Sequence, residues 1–253
     1  MTSEEELIKK RFAELANKSL SCGYFLFTDF LGLSDQSLFN EAKKNFPGVS
    51  YVSFGGAEGA ERVMIRFGDE EELGYSEEFP IRVIKVEPKA PKFAHPLSHR
   101  DFLGATLNLG IERSVIGDIA IIDNVAYIFA RDDIADYIAE SLVRVRNTDV
   151  ITEIIPLSEL PSVQLYQTHT VKIQLSGERL DAAIAKVFCI SRDDALSLFR
   201  KHLVFVCGRL TENNSYTPRN GDIISVRGYG RFIYRGVSGV SKKGKLNVEV
   251  DVY

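Results

Sequence analysis

The sequence has no tryptophan, two methionines, four histidines and three cysteines. No apolar run approaches the roughly 20 residues needed to cross a bilayer, so neither a membrane-spanning helix nor a membrane partner is expected. Cys22, Cys189 and Cys207 are isolated and odd in number. They do not form a disulfide framework or a paired zinc pattern, and they are expected to be reduced core thiols of a cytoplasmic protein. There is no P-loop, no glycine-rich loop after a strand, and no Ser-His-Asp order, so nucleotide hydrolysis, methyl transfer and serine hydrolysis lack their usual marks. Met1-Thr2-Ser3-Glu4-Glu5-Glu6 is acidic and is expected to be neither a signal nor a transit peptide. No metal and no cofactor is expected.

What is present is a charge asymmetry. Residues 171–253 carry 14 Lys/Arg and 8 Asp/Glu, a net of +6, while residues 1–170 carry 17 and 27, a net of −10. The overall net charge of −4 therefore hides a basic C-terminal end on an acidic body, which is a nucleic-acid cue. At 253 residues the chain is long enough for two or three small domains.

The N-terminal part predicts a helix from Glu4 to Leu20, with Leu7, Ile8, Phe12, Leu15 and Ala16 on one side. A second helix is predicted from Ser34 to Asn45, followed by strands at Ser50–Phe54 and Arg62–Phe67. Phe54-Gly55-Gly56-Ala57-Glu58-Gly59-Ala60-Glu61-Arg62 joins those strands. Its glycines permit close backbone approach, and a structural connection explains them better than a ligand does. Asp69 to Glu72 reads as a solvated acidic loop.

The middle predicts a strand at Ile81–Glu87 and a helix capped by Ser98 with Asp101 at the capping-box position and closed by Gly110. Strands at Ile119–Ile122 and Val125–Ala130 follow, joined by Asp123-Asn124. A helix from Asp132 or Asp133 carries Ile134, Tyr137, Ile138, Ser141, Leu142 and Val145, and a last strand runs Val150–Ile155. That βαββαβ order is the ferredoxin-like, RNA-recognition-motif-like plan. Tyr127 and Phe129 alternate on one strand; burial explains them at least as well as base stacking.

Near the end, Leu180, Ile184, Val187 and Phe188 recur at helical spacing. Ser191 with Asp194 caps a second helix bearing Ala195, Leu198 and Phe199. Strands at Val204–Val206 and Ile223–Val226 follow, with Asn220-Gly221-Asp222 as the turn between them. Arg179, Arg192, Arg200, Lys201, Arg227 and Arg231 fall at helix and strand ends, where they suit phosphate contacts.

Arg179-Leu180-Asp181, Ser191-Arg192, Val204-Phe205-Val206-Cys207-Gly208 and Gly221-Asp222-Ile223-Ile224-Ser225-Val226 together resemble the RNA-binding module named after ribosomal protein S-four. That pattern usually has Gly at the place of His202 and Asn at the place of Cys207. His202 is therefore expected to close its helix without glycine's left-handed freedom. Over nearly the whole chain, these parts, the Phe54–Arg62 segment, His99-Arg100-Asp101-Phe102-Leu103-Gly104-Ala105, Leu109-Gly110-Ile111 and Ile116-Gly117-Asp118-Ile119 resemble the bacterial YlmH family. The resemblance implies an α+β chain: an N-terminal α/β region over 1–75, a ferredoxin-like domain over 76–160, and an S-four-type αL RNA-binding domain over 170–253. It implies a ribosome-associated RNA-binding factor, and the chain is expected to be a cytoplasmic monomer. Its partners would be rRNA of the large ribosomal subunit and peptidyl-tRNA, in the rescue of stalled nascent chains.

Three motifs suggest enzymes. His99-Arg100-Asp101 copies a kinase triplet without its companions, and Ser98 and Asp101 fit a helix cap. His95 and His99 are separated by Pro96 and have no third ligand nearby. Arg179-Leu180-Asp181 occurs in pseudouridine synthases, but no synthase domain flanks it; Asp181 fits a local pair with a basic neighbour or a helix-start role. No catalytic residue is assigned. The expected RNA contacts are Arg179, Ser191, Arg192, Lys201, Arg227 and Arg231, with His99 and Arg100 as a second set. An RNA-modifying enzyme or its accessory subunit, and a division-linked scaffold, stay open as alternatives.

Overall fold

Apolar residues at helical spacing carry the first element, helix α1 (Ser3–Cys22), which buries Phe12, Ala16 and Ser19. Leu7, expected on that buried side, is instead 68% exposed. The structure is a computed structural model and describes residues 3–161 and 168–253. The chain is α+β and divides into two compact units between residues 166 and 167. The expected break between residues 160 and 170 thus falls partly outside the described residues.

In the first unit, β1 (Leu26–Phe27), α2 (Leu33–Ala42), β2 (Tyr51–Phe54) and β3 (Met64–Phe67) follow α1. The strands form an antiparallel sheet of order β1-β3-β2. Phe12, Phe39, Phe46 and Phe67 fill the space between it and the helices. The acidic run is not a loop: it is the short helix α3 (Glu70–Leu73). Asp69 accepts the N–H groups of Glu71 and Glu72, and left-handed Gly74 closes the turn.

The unit continues through β4 (Ile81–Pro88), α4 (His99–Leu107), β5 (Ile116–Ile122), β6 (Val125–Arg131), α5 (Asp132–Ser141), β7 (Arg144–Val145) and β8 (Thr148–Ile155). These five strands are antiparallel, in the order β5-β6-β4-β8-β7. Ser98 and Asp101 form the expected capping box on α4. Helix α5 stops at Ser141, short of the predicted Val145. Val145 is fully buried in β7, and Arg146 takes a left-handed φ of 52° to turn the chain into β8. Long-range burial of Val145 in the helix-side core overrides the helical spacing.

Both faces of this sheet are covered. Ile84, Val86, Ile128 and Ala130 pack with α4 and α5 residues such as Phe102 and Ile138. Val83, Tyr127, Phe129 and Ile155 pack with Phe30 and Met64 of the N-terminal region. Tyr127 and Phe129 are buried there, and neither presents a ring for base stacking.

The Phe54–Arg62 segment stitches these parts together. A Cβ at Gly55 would overlap the Arg62 carbonyl oxygen, and one at Gly56 would overlap the Phe129 ring. Arg62 donates from Nε to the Ile116 carbonyl at 3.0 Å, and from Nη2 to those of Phe30 at 2.7 Å and Arg113 at 3.2 Å. Asp118 accepts the N–H of Glu61 at 2.6 Å.

The second unit contains β9 (His169–Leu175), α6 (Leu180–Val187), α7 (Arg192–Arg200), β10 (Val204–Val206), β11 (Arg209–Leu210), β12 (Ile223–Val226), β13 (Gly230–Val240) and β14 (Leu246–Val252). Its antiparallel sheet has the order β11-β10-β12-β13-β14-β9. Helices α6 and α7 bury Leu180, Ile184, Leu198 and Phe199 against Val204, Ile224, Phe232 and Val250.

Two non-glycine residues end these helices in left-handed conformation: Cys189 at φ 54° and His202 at φ 56°. The Leu203 N–H reaches the Leu198 carbonyl and the His202 N–H reaches that of Phe199, both at 3.0 Å, which is the Schellman pattern. His202 therefore takes the left-handed state itself, contrary to expectation. Cys207, at φ 47°, with Gly208 makes the turn from β10 to β11. Both departures from the motif thus fall at left-handed positions, where Gly and Asn meet little steric cost. Cys22 and Cys189 are exposed and Cys207 is half-buried, so the three are not core thiols.

Candidate nucleic-acid interface

Residues at the start of α6 and α7 converge on one carboxylate. Asp181 is fully buried. Arg179, the residue before α6, donates from Nε to Oδ1 and from Nη2 to Oδ2, each at 3.0 Å. Arg192, the first residue of α7, approaches Oδ2 from Nη2 at 3.3 Å. The Ala182 N–H donates to Oδ1 at 2.8 Å. Burial pushes the Asp181 carboxyl upward, but the Arg179 hydrogen bond and the charges of Arg192 and Arg179 outweigh it and hold Asp181 below its ordinary value. Two cations share one anion, so the cluster keeps net positive charge beside two helix N-termini. It can orient both guanidinium groups toward an external anion.

Arg179 and Arg192 line a cleft of about 680 Å³ with Lys186, Cys189, Ile190 and Lys245. Lys186 and Lys245 were not singled out from sequence. Lys186 lies on the helical face opposite the apolar stripe, a signal that was readable; Lys245 reaches the cleft only through the β13–β14 hairpin.

Ser191 is used locally. Its Oγ accepts the Asp194 N–H at 3.0 Å and donates to the Asp194 carboxylate at 2.6 Å, which fixes the start of α7 beneath Arg192. Lys201 is exposed at the end of α7. The Arg227 N–H donates to the Leu203 carbonyl at 2.9 Å, which brings its backbone close to Lys201. Neighbouring His202 bonds Glu212 through Nδ1 at 3.0 Å. Arg227 is exposed and lies over the Phe205 ring at 4.5 Å. Arg231 is half-buried and lies over the Tyr253 ring at 4.0 Å; burial lowers its pKa from the ordinary arginine value. The Gly-Asp motif is structural: Asp222 accepts the Tyr216 hydroxyl and the Arg219 N–H, each at 2.8 Å. Burial and that bond push Tyr216 up to about 12.

His99 and Arg100 stand on the first turn of α4, in the other unit. Desolvation lowers the His99 pKa and the charge of Arg113 adds to it, against the pull of Asp118. Arg100 lines a shallow groove with Arg144 and Arg146. Among the described residues no group of His, Cys, Asp or Glu could hold a metal ion, and no helix is long and apolar enough to cross a membrane.

The geometry defines an α+β protein with an arginine-lined helix edge. A family profile described as "Putative RNA-binding domain in YlmH" matches residues 75–159. A Bacillus subtilis (strain 168) protein named "Ribosome-associated protein quality control protein P2" is 30% identical over 221 residues, which cover 87% of this chain and 84% of that one. A solved structure, "Cell division protein ylmH from Streptococcus pneumoniae", is 22% identical and covers 63% of this chain and 96% of its own, with a TM-score of 0.49. The chain belongs to the YlmH family.

Proposed function

We propose that this chain is a non-enzymatic RNA-binding factor of the large ribosomal subunit, holding rRNA and peptidyl-tRNA during rescue of stalled nascent chains. The observation that carries the reading is the pair Arg179 and Arg192 oriented by one buried carboxylate at the starts of two helices. The relative's printed name and the family profile support the ribosomal and RNA parts. In this reading Arg179, Arg192, Lys201, Arg227 and Arg231 contact RNA, and Ser191 sets the helix start that positions Arg192. His99 and Arg100 form a second contact.

We read the three parts 1–75, 76–160 and 170–253 as N-terminal, ferredoxin-like and S-four-type domains of a cytoplasmic monomer. The strand order β5-β6-β4-β8, with a helix in each crossover, supports the second assignment. Asp181 is engaged by two arginines and a backbone N–H, which speaks against a catalytic role copied from the synthases.

Sedimentation of tagged protein with ribosomal subunits, at low and high salt and with sequencing of bound RNA, tests the reading. Salt-sensitive migration with free large subunits carrying tRNA is expected. Absence from ribosomal fractions overturns it.

A further inference from the structure

The C-terminal sheet has a second face. Residues alternate across a strand, so Val204, Ile224, Val226 and Phe232 point into the helix-side core while their neighbours point away. Cα partners put Phe205 opposite Ser225, and Ser225 opposite Arg231. Arg231 in turn lies over the Tyr253 ring at 4.0 Å. The result is one row across β10, β12 and β13, bounded by two aromatic rings, each with a guanidinium laid on it; the other guanidinium belongs to Arg227, 4.5 Å above Phe205.

We propose that this outer face binds unpaired RNA bases, with the Arg227–Phe205 and Arg231–Tyr253 pairs as stacking platforms. This rests on the RNA-binding reading and adds a base-contacting surface to the phosphate-facing helix edge. The chemistry is specific. A guanidinium is planar and stacks on aromatic faces, and its charge suits the backbone that accompanies an unpaired base. A ring beneath it restricts the guanidinium before any ligand arrives, so less side-chain entropy is lost on binding. Base stacking on such platforms tolerates any sequence, because every base has a π-face. Ser225, between the two pairs, is small and leaves the row low at its centre. A lysine at either position would keep the charge and lose the plane.

The test uses full-length protein and two RNAs with equal numbers of phosphates: an unstructured oligouridylate carrying one fluorescent purine analogue, and a blunt duplex. The native protein is expected to quench the purine on binding. In the Arg227→Lys, Arg231→Lys double variant the preference for unpaired over paired RNA falls about tenfold, the quench is lost, and the salt slope stays. Tyr253→Leu, which removes the support under Arg231, lowers the preference in the same direction. An unchanged preference and quench in the lysine variant overturns the inference. Native protein that binds the duplex but not the oligouridylate also overturns it and leaves the RNA reading standing; binding to neither RNA overturns the inference, and the sedimentation above decides the RNA reading.

Discussion

The central and C-terminal sheets are both antiparallel, and both carry helices against one face, yet their second faces differ. In the central sheet that face holds Val83, Tyr127 and Phe129, sealed by Phe30 and Met64. In the C-terminal sheet the corresponding alternate residues include Phe205, Ser225 and Arg231, outside the core cluster and half-exposed. The same layer plan thus gives a buried seam in one unit and a candidate contact surface in the other. Function follows from what covers a sheet face more than from the strand order, and an aromatic residue on a strand can belong to either case.

The largest expected effect tests the sealed face. Phe129→Ala should cost about 3–5 kcal/mol, because it empties a fully buried ring site. The same truncation at half-exposed Phe205 should cost about 1 kcal/mol. Urea unfolding gives the magnitudes, and hydrogen exchange should confine the Phe129 loss to the first unit. Comparable costs at the two positions would erase the contrast between the faces.

Next in size is binding through the helix edge. Arg192→Ala with Lys201→Ala should weaken RNA binding and reduce the slope of log affinity against log salt by roughly 1.5–2, as expected for two lost phosphate contacts. Thermal stability should change little, since Arg179 remains on Asp181. A folded double variant that binds at full strength would remove the helix edge from the interface.

Asp181→Asn sharpens the link between that edge and folding. Loss of charge-assisted bonds to a buried carboxylate should cost about 1.5–3 kcal/mol near neutral pH. Because the folded-state pKa of Asp181 is depressed, its contribution is present above about pH 4 and is lost as the pH falls through the folded value. Native and variant stabilities, followed by acid titration of the unfolding midpoint, should therefore converge on the acid side.

The smallest effect concerns His202. Replacing it by glycine should relieve left-handed strain and stabilise the protein by about 0.5–1 kcal/mol, less whatever the Glu212 contact contributes. A lower melting temperature for His202→Gly would mean that the Glu212 contact outweighs the strain.

Local pattern settled much of this protein. The caps at Ser98 and Ser191, the Asp123-Asn124 turn, the stripes of α6 and α7, and the positions of the terminal arginines were all legible, because each depends on residues within one or two turns of the chain. The pairing of β9 with β14 and the arrival of Lys245 in the cleft that Arg192 lines were not, because they join residues far apart in sequence. Nor could periodicity tell that β7 would claim Val145, that Tyr127 and Phe129 would be sealed, or that Cys22 and Cys189 would face solvent. Helix signals are short-range sterics and hydrogen bonds written in neighbouring residues, whereas burial of a face is a free energy shared with whichever distant segment packs on it. That second quantity exists only once the chain has closed, and it decides which arginines and rings a ligand can reach.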